Sequence, residues 1–119
     1  MTSQQMAEKI VEVLANKIGR DLKLIKIDAI TVLADYFIIC TAGSATQIKS
    51  LCDEVEAVME QNGERILHRE GHRAGGWVLL DYGCVVVHIF MEEARAFYGL
   101  ERLWADGKEI DISAFVGER

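Results

Sequence analysis

The sequence predicts one α/β domain, a mixed β-sheet of about five strands flanked by helices. Two segments carry apolar residues at three-to-four spacing, the signature of a helix with one buried face. Between and after them lie short runs rich in Val, Ile and Leu, bounded by turn-forming residues and too short to be helices. The chain has 119 residues, half of them apolar, with no proline, repeat or low-complexity tract to mark a linker, so a single core is expected. The domain is expected over residues 1–105 and a short tail over 106–119.

The first helix is read from Met6, Ile10, Val13, Leu14 and Ile18, with Thr2 and Gln5 as a capping box and Gly19 as the left-handed residue that ends it. Leu22 to Ala29 alternates in part, as a strand covered on one face does. Tyr36 to Cys40 is continuously apolar, which suits a strand buried on both faces near the centre of the sheet. Ser44 and Gln47 form a second capping box, and Ile48, Leu51, Cys52, Val55, Val58 and Met59 make an unbroken helical stripe closed by Asn62-Gly63. A weaker strand, 65–69, runs into the Gly-rich loop 71–76. After the hairpin that follows, Glu92 and Glu93 suit the positive end of a third helix carrying Ala94, Phe97, Tyr98, Glu101 and Trp104, although Gly99 weakens it. The tail, charged and glycine-containing, is expected to be loosely ordered.

The hairpin Trp77–Asp81 and Cys84–Met91, with Tyr82-Gly83 as a two-residue turn, sets Asp81 opposite Cys84, Leu79 opposite Val86 and Trp77 opposite His88. The other side then carries Val78, Leu80, Val85, Val87 and Ile89. Being purely aliphatic, it is the side expected under the helices. The mixed side, Trp77, Leu79, Asp81, Val86 and His88, is too polar for a helix-covered core and too apolar for plain solvent. It reads as a docking face for another macromolecule, with cover by a C-terminal helix as the alternative.

The formal net charge of −6 argues against wrapping nucleic acid and favours a basic partner. No apolar run nears the roughly 20 residues needed to cross a bilayer. The N-terminus shows no secretion signal, so a cytoplasmic location is expected. Cys40, Cys52 and Cys84 have no paired spacing and read as reduced, buried thiols. Chemistry finds little support. Gly43-Ser44 lacks the length and the lysine of a phosphate loop, and His68 and His72 lack further ligands at metal-site spacing. His88 and Cys84 share a strand face without a third orienting group. Nucleotidyl transfer needs a carboxylate pair on one strand; Asp81 stands alone, with Gly83 and Cys84 where a partner acid belongs. Neither cofactor nor metal is expected, and the chain is not expected to be an enzyme.

The segments Asp35-Tyr36-Phe37-Ile38-Ile39-Cys40, Gly76-Trp77-Val78-Leu79-Leu80-Asp81-Tyr82-Gly83, Val85-Val86-Val87-His88-Ile89-Phe90 and Arg95-x-Phe97-Tyr98-x-Leu100-Glu101-x-Leu103-Trp104 resemble those of the ribosomal silencing factor, or Iojap-like, family over roughly residues 5 to 105. The resemblance implies a nucleotidyltransferase-like fold without the catalytic carboxylates and a tendency to form homodimers. It further implies binding to protein fourteen of the large ribosomal subunit, which blocks subunit joining and represses translation. On that reading Trp77, Leu79, Asp81 and His88, with Tyr98 and Trp104 nearby, contact the ribosomal protein. Two positions depart from the family: Cys84 replaces an acidic residue, with a shift of pairing toward Arg95 as one consequence, and Thr46 replaces a basic one. A large-subunit assembly factor and a divergent nucleotidyltransferase are the competing functions.

Overall fold

The computed structural model describes residues 1–29, 32–72, 76–98 and 106–116. In chain order these form α1 (Ser3–Asn16), β1 (Arg20–Lys26), β2 (Tyr36–Ala42), α2 (Ala45–Gln61), β3 (His68–His72), β4 (Trp77–Asp81), β5 (Val85–Met91), α3 (Glu92–Tyr98), β6 (Lys108–Ile110) and α4 (Ser113–Val116). The strands make one mixed sheet in the order β3-β4-β5-β2-β1-β6. Only β2 and β5 run parallel among the described pairs, and β2 is central as its continuous apolar run requires. No described helix is long and apolar enough to cross a membrane.

Alternation along the strands divides the apolar residues between two clusters. Leu24, Ile38, Cys40, Leu80, Val85, Val87 and Ile89 join Ile10, Leu14, Leu51, Val55 and Met59 of α1 and α2 in the larger one. The aliphatic side of the hairpin is therefore the side under the helices, as expected. Ile25, Ile39 and Phe90, together with Phe37, Trp77 and Val86, form the smaller cluster on the opposite side, where α3 packs through Ala94.

Both capping residues act as the spacing foretold, with one difference. Thr2 and Gln5 make a complete reciprocal box. Ser44 accepts the Gln47 backbone N–H at 3.1 Å, but the Gln47 side chain accepts from the Gly43 N–H and donates to the Ile18 carbonyl at 3.1 Å. It ties the start of α2 to the exit of α1. That exit corrects the reading of Gly19: Ile18 holds the left-handed conformation, at φ 63°. The Gly19 N–H donates to the Leu14 carbonyl at 2.8 Å and the Ile18 N–H to the Ala15 carbonyl at 3.1 Å, the paired bonds of a helix-ending motif that normally places glycine where Ile18 stands. Gly19 is required for space instead. A Cβ there would lie 2.6 Å from the Cys40 Sγ and 2.9 Å from the Leu14 oxygen.

Two other expectations change. The weak strand of 65–69 forms at His68–His72, exposed from His68 to Gly71 and carrying the charges of Arg69 and Glu70, which suits an edge that must not pair with other chains. The segment beyond residue 105 is not loose where it is described. Its Lys108–Ile110 pairs with β1 as a sixth strand, and Ile112 and Phe115 pack against the larger cluster. A short charged stretch is ordered here because the edge of β1 offers it backbone partners, which its composition does not reveal.

Candidate docking face

The β4–β5 hairpin has a longer turn than expected. Asp81 lies opposite Val86, Leu79 opposite His88 and Trp77 opposite Phe90, a shift of two residues. Backbone hydrogen bonds fasten it. The Cys84 carbonyl accepts the Asp35 N–H at 2.8 Å and the Tyr36 N–H at 3.2 Å, which ties the end of the turn to the start of β2. Within the turn the Tyr82 N–H donates to the Val85 carbonyl, and Asp81 Oδ1 accepts the Gly83 N–H at 2.7 Å while Gly83 takes φ 84°. Because the shift is even, the side chains of Trp77–Asp81 and Val85–Met91 keep the faces that alternation assigned them.

Directly opposed residues share a face, so the register aligns three rows across the smaller cluster. One runs Glu70, Leu79, His88, Ile39 and Lys23; the next runs His68, Asp81, Val86, Phe37 and Ile25. The third contains His72, Trp77, Phe90 and Thr41. Phe37 is a member that strand-by-strand reading missed. The parallel β2–β5 pairing that puts it beside Val86 is non-local and leaves no mark in either segment.

Exposure separates these residues. Trp77, Leu79, Asp81, Val86 and Phe37 are half-buried, while Ile39, Phe90, Thr41 and His88 are buried. His88, 3% exposed, is thus not a contact residue, contrary to the reading that placed it on the open face. Three aromatic rings wall it in: Phe37 at 4.9 Å between centroids, Trp77 at 5.8 Å and Phe90 at 6.1 Å. Its Nδ1 accepts the Trp77 indole N–H at 3.2 Å, which fixes the proton on Nε2, and that buried nitrogen has no hydrogen-bond partner among the described residues. Burial pushes its pKa down to about 4, so the ring is neutral at physiological pH. Its role is to orient Trp77, whose indole also stacks on Phe90 at 5.3 Å. Tyr98 is the last residue of α3, and its side chain lies outside the described residues, as does Trp104.

Arg95 anchors α3 to this side of the sheet. Its Nη1 donates to the Asp21 carbonyl at 2.6 Å and the Thr41 Oγ1 at 2.7 Å. Asp21 sits at φ 49° in the irregularity that shifts the β1–β2 register between Arg20 and Lys23, and that irregularity turns its carbonyl toward the arginine. Arg95 therefore does not compensate for the missing acid at residue 84. The seven residues of β5 separate the two positions, which at strand rise is roughly 23 Å. Cys84 faces α1 instead, its Sγ 3.6 Å from the Met6 Sδ, so it does not share the His88 face. Thr46 stands in the first turn of α2, beside Lys49, Ser50 and Asp53.

Burial raises the thiols of Cys40 to about 12 and Cys52 to about 11, and raises Cys84 as well, so all three stay protonated. His68 and His72 sit four residues apart on the exposed β3 edge, which is roughly 13 Å along a strand. Among the described residues no three His, Cys, Asp or Glu side chains gather as metal ligands. The arrangement suits contact: a half-buried apolar strip of Trp77, Leu79, Val86 and Phe37, with Asp81 and Glu70 in its rows and a rigid aromatic layer beneath.

Comparison with known proteins finds relatives along the whole chain. The family model described as "Ribosomal silencing factor during starvation" matches residues 1–119. A ribosomal silencing factor of Halalkalibacterium halodurans is 31% identical over 116 residues, covering 98% of this chain and 99% of that protein. The chloroplastic protein Iojap of Zea mays is 30% identical over 92 residues, 77% of this chain and 40% of the maize protein. A crystal structure of a Chromobacterium violaceum protein superposes with a TM-score of 0.84 at 32% identity, covering 93% of this chain and 92% of that one.

Proposed function

Because the chain belongs to the ribosomal silencing factor family, we propose that it represses translation by occupancy. It seats the Trp77 and Leu79 strip on protein fourteen of the large subunit, where its bulk excludes the small subunit. One observation carries this reading: a partly open apolar strip, flanked by carboxylates, lies on the sheet face opposite the main helices of an acidic chain. Apolar contact supplies affinity, while Asp81 and Glu70 favour a cationic target and speed encounter. Occupancy requires no reaction. Asp81 already accepts the Gly83 N–H and stands without a second carboxylate on its strand, which suits a residue that shapes a turn and meets a cation better than one that chelates a metal.

The test is subunit joining followed on sucrose gradients. Added protein is expected to shift joined ribosomes to separate subunits. Leu79→Ala is the cleaner probe of the strip, since Trp77 also stacks and hydrogen-bonds inside the fold. It is expected to abolish co-sedimentation with large subunits and leave the circular dichroism spectrum unchanged. Full anti-joining activity in Leu79→Ala would remove the strip from the mechanism. A homodimer in the absence of ribosomes is part of the same proposal, and sedimentation equilibrium of the free protein reads it directly.

A further inference from the structure

The connection between β1 and β2 exposes two adjacent aliphatic side chains: Val32 is 100% exposed and Leu33 81%. Exposure of this kind in a slack loop would carry little meaning. Here the connection is pinned where it rejoins the sheet. The Ile27 N–H donates to the Asp35 carbonyl and the Asp35 N–H to the Cys84 carbonyl, both at 2.8 Å. Ala34, immediately after Leu33, is buried in the same cluster as Phe37, Trp77 and Val86. The exposed pair therefore adjoins, along the chain, a residue seated on the docking side of the sheet.

We propose that Val32 and Leu33 form a second apolar foot of the docking surface, seated on the same cationic protein surface as the Trp77 and Leu79 strip. The inference rests on the functional reading above and enlarges its footprint. Strand spacing places β2 and β4 roughly 10 Å apart, so strip and foot fit within one interface of about 800 Å² per partner. Charge identifies the kind of occupant. Asp28, Asp35 and Asp81 all lie at this end of the sheet, because β2 runs antiparallel to β1 while β5, parallel to β2, runs antiparallel to β4. Lys26 neighbours Asp28 at 3.8 Å. Three carboxylates at the same end of the sheet as these aliphatics repel a phosphate backbone and suit a protein surface with an apolar centre and a Lys- or Arg-rich rim.

Val32→Ser and Leu33→Ser test the foot, with Leu79→Ala as reference, by titrating each protein against purified large subunits. Each serine variant is expected to weaken binding on the order of tenfold, with the urea unfolding midpoint unchanged, since both side chains are largely exposed. Wild-type affinity in both serine variants, with weakened Leu79→Ala, overturns the foot and leaves the strip standing. Wild-type affinity in all three overturns both. A photoreactive benzoylphenylalanine in place of Val32 adds an independent reading. Crosslinking to a ribosomal protein supports the foot, and crosslinking only to ribosomal RNA overturns it.

Discussion

Acid should loosen this fold through one buried ring. His88 titrates at about 4 in the folded chain against an ordinary 6.5, because burial among Phe37, Trp77 and Phe90 disfavours the charged form. The unfolded chain therefore binds the proton more readily. Stability is complete above the unfolded value, declines as the pH falls through it, and stops declining below the folded one. With those two values the loss is about 2 kcal/mol by about pH 5 and about 3 kcal/mol by about pH 4. Carboxylates add their own acid response, so the measurement is a double difference: urea unfolding of wild type and His88→Phe, each at about pH 7.5 and about pH 5. The lost bond from the Trp77 indole costs the variant the same at both pH values and cancels. Wild type is expected to lose about 2 kcal/mol more than His88→Phe over this interval. A double difference below about 0.5 kcal/mol would show that the ring is solvated or already paired in the folded protein, and the burial argument would fail.

Two further outcomes follow from local geometry. Arg95→Met removes the hydrogen bonds to the Asp21 carbonyl and the buried Thr41 hydroxyl; it is expected to lower stability by about 2 kcal/mol in urea titration, and an unchanged midpoint would show that α3 is held by other contacts. Ile18→Gly relieves a β-branched residue of a left-handed conformation while removing a side chain that is 64% exposed; calorimetry is expected to show a gain of about 1 kcal/mol, or roughly 4 °C in Tm, and a fall instead would mean that Ile18 packs more than its exposure implies.

Elements whose causes are local were legible in the residue order. The stripes of α1 and α2, the Thr2 box, the Asn62-Gly63 stop and the alternation of the hairpin each depend on residues a few positions apart, where covalent geometry sets which side chains share a face. Alternation also places Trp77, Leu79 and Asp81 together on the side opposite α1 and α2, although the turn is two residues longer than its Tyr82-Gly83 signal implies. Tertiary structure alone decided the rest, because distant segments compete for the same hydrogen bonds and the same space. The turn carries two residues more than its Tyr82-Gly83 signal implies, and parallel pairing brings Phe37 to the strip. The aromatic rings close over His88 and change it from a contact residue to a support for Trp77. The free edge of β1 recruits Lys108–Ile110, and Cys40 packs so near Gly19 that no side chain fits there. None of these outcomes has a periodicity to read. Each is settled by which long-range contact leaves the fewest buried polar groups unpaired and the least empty space.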